Sequence, residues 1–370
     1  MLKVTKKAVP IILAACLCVV MLVSSPGLGC TPAGTSDGAP SGGAAAPEYN
    51  WRMANAWVQA ERNTSMQLFA DLINQYTDGR VLVEFYPDGL LGTHDENFQA
   101  VQAGDIEIAN CCPYVNLVPG GMLNWMPWTI STYDELAAAT GKPDGVLYRV
   151  MKDVYDEVDL ELLWFVPRGP YGIGSNTRPL KTPDDFRDQV MRVSGSLGFV
   201  RAVQNMSEGT GLSLETIPWA DVYGALERGV VDCAWSLWGS LIEERHYEVL
   251  KYYTDLGFGF DMNNICINQA LWQGLPADIQ GAIMQAAKYA EERDFEAHRR
   301  SDREYQMQLR DLGVEIYFPT DAEKDVFRDK ARMDEIWEEL CLPWLEDYYP
   351  DGGAKMNEIL AELDFVMDNY

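Results

Sequence analysis

Asn63 to Ala109 reads NTSMQLFADLINQYTDGRVLVEFYPDGLLGTHDENFQAVQAGDIEIA. Met66, Phe69, Leu72, Ile73 and Tyr76 recur at three- and four-residue spacing, which predicts a helix from about Asn63. Asp78-Gly79 ends it. Arg80 to Tyr86 is rich in Val and aromatics and predicts a strand. Phe98 and Val101 mark a second helix that stops at Gly104, and Ile106 to Ala109 predicts a short strand. Strand and helix in alternation predict a sheet with helices on its faces.

The same rhythm returns further along. Leu160 to Val166 predicts a buried strand, and Thr182-Pro183-Asp184-Asp185 opens a short helix with Pro in the first turn, where it is tolerated. Val190 to Val193 predicts a strand, Phe199 to Met206 a helix, Ser213 to Ile217 a strand, and Ala220 to Arg228 a helix closed by Gly229. Val230 and Val231 lead into Asp232. No short repeat is present; the likeness is between two α/β halves. From Pro276 to about Asp311 there is no further Pro and only Gly281 interrupts. A helix of 36 residues would be about 54 Å long, more than one lobe needs, and could run along both. Val314 to Phe318 predicts a strand, and two more helical segments follow.

Upstream lies a leader. Lys3, Lys6 and Lys7 precede sixteen uncharged residues, Ala8 to Val23, and Ser24, Ser25, Pro26 and Gly27 break that run before Cys30. This is the layout of a secretory signal, and the run is shorter than the roughly 20 residues that span a bilayer. Leu28-Gly29-Cys30 is similar to the acceptor site of bacterial lipoproteins, although Gly27 stands where a branched apolar residue is usual. Residues 31–47 are almost all Gly, Ala, Ser, Thr and Pro and predict a flexible linker. The expected location is therefore extracytoplasmic, in the periplasm or at the cell surface, with a lipid on Cys30 as the tether.

Glu48 to Tyr370 is long enough for two lobes. The chain has 29 Lys+Arg against 56 Asp+Glu, a net charge of −27, which becomes −30 once the three leader lysines are gone. Such a chain repels nucleic acid and anionic lipid. An anionic ligand would have to be held by a few placed cations. Five cysteines follow Cys30, an odd number and too few for a disulfide scaffold. Adjacent Cys111 and Cys112 read as small buried apolar residues, with a strained vicinal disulfide as the other option.

Motifs of catalysis are absent. His94, His246 and His298 lack metal-ligand spacing, and there is no H-E-x-x-H, C-x-x-C, G-x-S-x-G or Walker loop. Gly172-Ile173-Gly174 has Thr177 at the third glycine position and reads as a loop. No catalytic residue, metal or cofactor is predicted. Carboxylates are so abundant that a glycosidase-like pair is unconstrained by sequence. The excess is aromatic: of eleven Trp, three, Trp219, Trp235 and Trp238, fall within twenty residues. They are core packing or the lining of a ligand pocket, which in open α/β sheets forms beyond the carboxyl ends of strands. Arg192 stands near such an end, and its planar fork suits a carboxylate.

Three series of residues now stand in order. The first runs Phe69-Ala70-Asp71, Thr77-Asp78-Gly79-Arg80, Phe85-Tyr86-Pro87, Gly89-Leu90-Leu91-Gly92 and Val101-Gln102-Ala103-Gly104-Asp105-Ile106. The second is Arg178-Pro179-Leu180-Lys181-Thr182-Pro183-Asp184-Asp185-Phe186 leading to Met191-Arg192-Val193. The third is Val222-Tyr223-Gly224-Ala225-Leu226-Glu227-Arg228-Gly229-Val230-Val231-Asp232. Together they resemble the dicarboxylate-type solute-binding proteins of TRAP transporters, the tripartite ATP-independent periplasmic transporters, over nearly all of the mature chain.

That resemblance implies an α/β, two-lobed, periplasmic-binding-protein-like fold of type II, with a long helix spanning both lobes. Residues 48–169 plus 262–301 would form one lobe, and 170–261 plus 302–370 the other. It implies capture of an organic acid in the cleft and its delivery to membrane permease subunits. Arg192 stands where the family binds the carboxylate, Trp219 where an aromatic packs on the ligand, and Cys112 at a pocket-lining position. Asn55 or Trp57 belongs to the first loop of the cleft. Two departures mark this chain. Where many members have Gly-Gln-Glu-Asn-Pro after the Asp equivalent to Asp232, it has Cys233-Ala234-Trp235-Ser236-Leu237, so Ser236 replaces a ligand-touching Asn. Where sialic-acid members have a second Arg it has about Gly172, with Tyr171 and Arg168 nearby. With Trp235 and Trp238, these differences predict a bulkier or more apolar carboxylate, aromatic acids included. The rival readings are an exported hydrolase with a carboxylate pair and a ligand-sensing receptor of a signalling system.

Overall fold

A computed structural model describes residues 46–57, 60–114 and 117–370. The leader, Cys30 and most of the linker lie outside the described residues. The strands are β1 (Tyr49–Ala54), β2 (Val81–Tyr86), β3 (Ile108–Cys111), β4 (Leu160–Pro170), β5 (Gly172–Ser175), β6 (Val190–Val193), β7 (Ser213–Thr216), β8 (Cys233–Ser236), β9 (Tyr252–Thr254), β10 (Phe260–Asn268) and β11 (Glu315–Tyr317). They form two sheets, in the orders β2-β1-β3-β10-β4 and β11-β9-β5-β8-β6-β7. In the first sheet β1 is parallel to β2 and β3, while β10 runs antiparallel between β3 and β4. In the second, β6 is parallel to β7 and β8, and β5 is antiparallel to β8 and β9.

Local chemistry explains the ends of these elements. The helix Ala60–Tyr76 stops where Gly79 takes φ +77°, a conformation that costs glycine little. The helix His94–Ala103 starts with a Thr93–Glu96 capping box and closes on left-handed Gly104. β2 alternates buried Val81 and Val83 with exposed Leu82 and Glu84, the period of a strand with one face on the core.

Two chain passages join the sheets. β4 of the first sheet ends one residue before β5 of the second, and β9 returns to β10 through 255–259. The passages hold each other, because Tyr171 N–H donates to Gly259 O at 2.8 Å and Phe258 N–H to Tyr171 O at 3.1 Å. The third link is the long helix, Ala277–Asp311, with Pro276 as its N-cap. Its 35 residues span about 52 Å. Ile279, Ile283, Ala286, Ala287 and Ala290 pack into the core beneath the first sheet, and Leu309 joins the core of the second. Midway, Asp302 accepts from Tyr133 Oη at 2.8 Å beside Gly169, whose φ is +120°. No helix among the described residues is long and apolar enough to cross a membrane.

Several expectations shift. The predicted strand at Ile106–Ala109 runs Ile108–Cys111, which puts Cys112 just past its carboxyl end. The segment 302–370, grouped by sequence with the second lobe, divides. Asp321–Ala331 packs on Leu197–Met206 of that lobe, but Leu342–Tyr348 and Gly352–Asn369 pack against the turn Pro119–Trp125 and the helices Tyr133–Thr140 and Val146–Asp156. Trp344 fixes this docking by donating from Nε1 to Glu157 at 2.7 Å, and Gly120 makes room for it, since a Cβ there would fall 2.5 Å from the indole. Cys111, Cys112, Cys233, Cys266 and Cys341 are all buried and free, so Cys111 and Cys112 form no vicinal disulfide.

Candidate functional site

The sheets face each other across a cavity with about 710 Å³ of empty volume, part of it open to solvent. Its first wall comes from loops after β1 and β3 and from β4 and β10, and carries Trp57, Cys112, Tyr114, Trp125, Arg168, Asp261 and Asn263. Its second wall carries Arg192, Ser194, Ser196, Phe199, Trp219, Trp235 and Leu237, with Tyr171 at the crossover between the sheets.

Arg192 belongs to β6, where period-2 alternation sends Met191 and Val193 into the core and Arg192 and Ser194 to the cavity. The side chain is buried. Nε donates to Ile217 O at 2.9 Å, and the guanidinium sits 5.2 Å from the centre of the Trp219 ring. Among the described residues no carboxylate pairs with it. Burial pushes its pKa below the ordinary value, with Tyr171 and Tyr114 opposing. The helix Leu197–Met206 starts next to it, and its N-cap Ser196 makes no side-chain capping bond. A helix N-terminus without a capping side chain favours negative charge.

Arg168 is held differently. Its Nη1 lies 3.6 Å from Asp261 Oδ2, its Nη2 lies 3.8 Å from Glu244 Oε1, and it stacks 5.8 Å from the Trp57 ring centre. Burial pulls its pKa down, but the carboxylates win and leave it raised. Asp261 also accepts from Trp125 Nε1 at 3.1 Å, and Glu244 from Trp219 Nε1 at 2.5 Å. With its amide oxygen facing inward, Asn263 accepts from Trp57 Nε1 and Arg62 Nη1, each at 3.2 Å. Arg62 lies fully buried behind this wall, and desolvation lowers its pKa to about 9.

Aromatic rings flank the cavity on both sides. On the first wall His94 contacts Trp57 at 6.1 Å and Tyr114 at 5.2 Å, and Tyr114 contacts Trp125 at 5.5 Å. On the second, Phe199 meets Tyr171 at 5.0 Å and Trp235 at 5.8 Å, and Trp235 stacks on Phe258 at 4.0 Å. His94 fixes the loop that bears Cys112 by accepting its backbone N–H at 2.6 Å, and burial lowers the pKa of the ring.

The structure thus gathers Arg192, Trp219, Trp235, Tyr171, Arg168, Cys112 and Trp57 around one cavity. Ser236, Trp238 and Asn55 are not on its wall. Strand alternation that points Trp235 and Leu237 inward turns Ser236 away, and its Oγ is buried without a partner among the described residues. Trp238 opens a helix and packs on Tyr253 at 4.4 Å, within the second lobe's core. Asn55 holds the first loop from behind. It donates to Asn63 Oδ1 at 2.8 Å and Trp57 O at 3.0 Å, and accepts from Asn110 at 3.0 Å. Sequence reasoning missed Tyr114, Trp125, Ser194, Ser196, Phe199, Leu237, Asp261 and Asn263. Ser194 was findable, two residues after Arg192 on the same strand face. Asp261 and Asn263 were not, because β10 mixes polar residues into a buried strand.

Residues 59–341 match the family described as bacterial extracellular solute-binding protein, family 7. The chain is similar to the C4-dicarboxylate-binding periplasmic protein DctP of Rhodobacter capsulatus, 25% identical over 293 residues, 78% of this chain and 82% of that protein. In fold it is similar to a TRAP periplasmic solute binding protein from Ochrobactrum anthropi, with a TM-score of 0.75 and 20% identity over 88% of this chain and 97% of the other. It is also similar to one from Desulfovibrio salexigens with bound orotic acid, with a TM-score of 0.72 and 19% identity over 86% and 98%.

Proposed function

The chain belongs to the bacterial extracellular solute-binding proteins of family 7, and from that premise we propose that it captures a bulky, planar or aromatic organic acid on Arg192 and delivers it to a membrane permease. Members of this family bind solutes. The observation that carries the ligand reading is Arg192, a buried guanidinium on the cavity wall that no carboxylate neutralises among the described residues. Among the described residues the terminal Nη groups of Arg192 donate to no protein acceptor, and they fit a carboxylate bidentately. Trp219 covers this end, and the rings of both walls frame a slot for a flat apolar body. The bound orotic acid of the Desulfovibrio salexigens relative, a planar ring with one carboxylate, agrees with such a slot.

Closure of the lobes would exclude water and strengthen the ion pair. The hydrolase alternative needs two carboxylates free to act in one cleft, whereas Asp261 is engaged by Arg168 and Trp125, and Glu244 by Arg168 and Trp219. Tethering through Cys30 belongs to the same reading, since a lipid there would keep the receptor close to its permease.

A thermal-shift screen of organic acids, followed by calorimetry, tests the proposal. Arg192→Ala is expected to weaken the best acid by about 2–5 kcal/mol while leaving the protein folded. Undiminished binding by that variant removes the centre of the proposal.

A further inference from the structure

We propose that this site selects ligands with a single carboxylate, and that Asp261 and Glu244 exclude a second one by occupying Arg168. The inference rests on the reading of Arg192 as the acid anchor and adds the charge class of the ligand. Two guanidinium groups line the cavity. In a site for a dianion both would be available. Here Arg168 faces Asp261 at 3.6 Å and Glu244 at 3.8 Å, so two carboxylates surround one cation. Arg168 at that end is thus already answered by the fold, whereas Arg192 at the other end faces no carboxylate among the described residues.

The occupied end is built into the wall. Asp261 and Arg168 side chains are 9% and 8% exposed, and Asp261 is oriented by Trp125 Nε1 at 3.1 Å. Glu244 ties the two ends together, since it accepts from Trp219, the ring that covers Arg192, and faces Arg168. Of the four indole N–H groups lining the cavity, those of Trp57, Trp125 and Trp219 are already given to protein acceptors, and that of Trp235, which is buried without one among the described residues, belongs to the second wall. A second ligand carboxylate would therefore enter a desolvated space beside two like charges. Discrimination by an unfavourable contact with the wrong ligand is a general route to specificity. Arg62 acts on both carboxylates from behind Asn263, but it lies off the cavity wall and offers a second ligand carboxylate no N–H group.

The test compares acids that differ only by one carboxylate: benzoate with terephthalate, 3-phenylpropionate with phenylsuccinate, and propionate with succinate. Calorimetry on the mature protein is expected to give the monocarboxylate of each binding pair an affinity at least roughly tenfold higher. Asp261→Asn frees Arg168 and is expected to move the ratio toward the dicarboxylate by about tenfold. Where that variant does not fold, Glu244→Gln keeps an acceptor for Trp219 and shifts the ratio the same way. A dicarboxylate that binds wild type as tightly as its partner overturns the inference, as does a ratio unmoved in the folded variants. Binding of no acid in any pair overturns both the inference and the reading beneath it. A probe that binds Arg192→Ala undiminished overturns only the assignment of the anchor.

Discussion

On the first wall of the cleft Arg168, Asp261, Asn263, Trp57 and Trp125 are bonded or paired to one another, whereas on the second wall Arg192 has a backbone carbonyl, an indole face and no carboxylate. Both arginines are buried, and desolvation acts against both. Their partners differ. The pair at Arg168 is structural: a cation whose charge is answered by the fold. The one at Arg192 has no such answer among the described residues, and under the proposed function it takes one from the ligand. Buried charge thus marks a binding site by what is left uncompensated, and the presence of an arginine alone does not mark it.

Removing each cation is the sharpest way to break this contrast. Arg168→Met leaves Asp261 buried beside Glu244, and is expected to lower unfolding free energy by about 3–5 kcal/mol in denaturant melts. Arg192→Ala removes a desolvated cation that has no carboxylate, so the ligand-free melting temperature should hold or rise while acid affinity falls by the amount given above. If the stability effects of the two variants match, the division between structural and binding arginine is wrong. Trp219→Ala removes the ring over Arg192 and some apolar cover, and should weaken the acid by about 1–2 kcal/mol with a smaller effect on folding.

The smallest effect concerns pH. His246 stands behind Trp219 at 5.2 Å on the second wall. Burial and the repulsion of Arg192 depress its pKa from 6.5 to about 4. Across that window the unfolded chain binds a proton that the folded chain does not, so this group makes stability rise with pH. Asp255, in the passage from β9 to β10, is shifted the other way, from 3.8 to about 6, by burial with Lys324 opposing. There the folded chain keeps a proton that the unfolded chain has lost, so stability falls as pH rises through the window. The two slopes oppose each other between about pH 4 and 6. Relative to wild type, His246→Gln should make the slope of melting temperature against pH more negative over that range, and Asp255→Asn should make it more positive. Melts of both variants with unchanged slopes would show that neither group titrates as described.

The site was half legible in the sequence. Arg192 could be read because it lies near the end of a strand whose apolar neighbours announce it, and Trp219 and Trp235 because tryptophans so close together are unusual. The error at Ser236 came from matching a position without a strand register. One residue of register decides which face a side chain takes, and β8 gives the cavity Trp235 and Leu237. Trp238 shared the aromatic signal and went to the core. β10 was missed altogether, because Asp261, Asn263 and Asn264 interrupt the apolar run that usually betrays a buried strand. Those polar residues are tolerated there because each is bonded within the fold: Asp261 by Trp125, Asn263 by Trp57 and Arg62, and Asn264 with Tyr155.

The sequence by itself determined the alternation of strands and helices, the long helix and the candidate anchor Arg192, since each follows from local periodicity or from a side chain's own chemistry. It determined the family as well, through three separated series of residues in order. Only the tertiary structure decided that Arg168 faces two carboxylates while Arg192 faces none among the described residues. Asp261 and Glu244 lie 93 and 76 residues from Arg168 in the chain, and ion pairing depends on distance in space, which β10 and the crossover from β4 alone bring about.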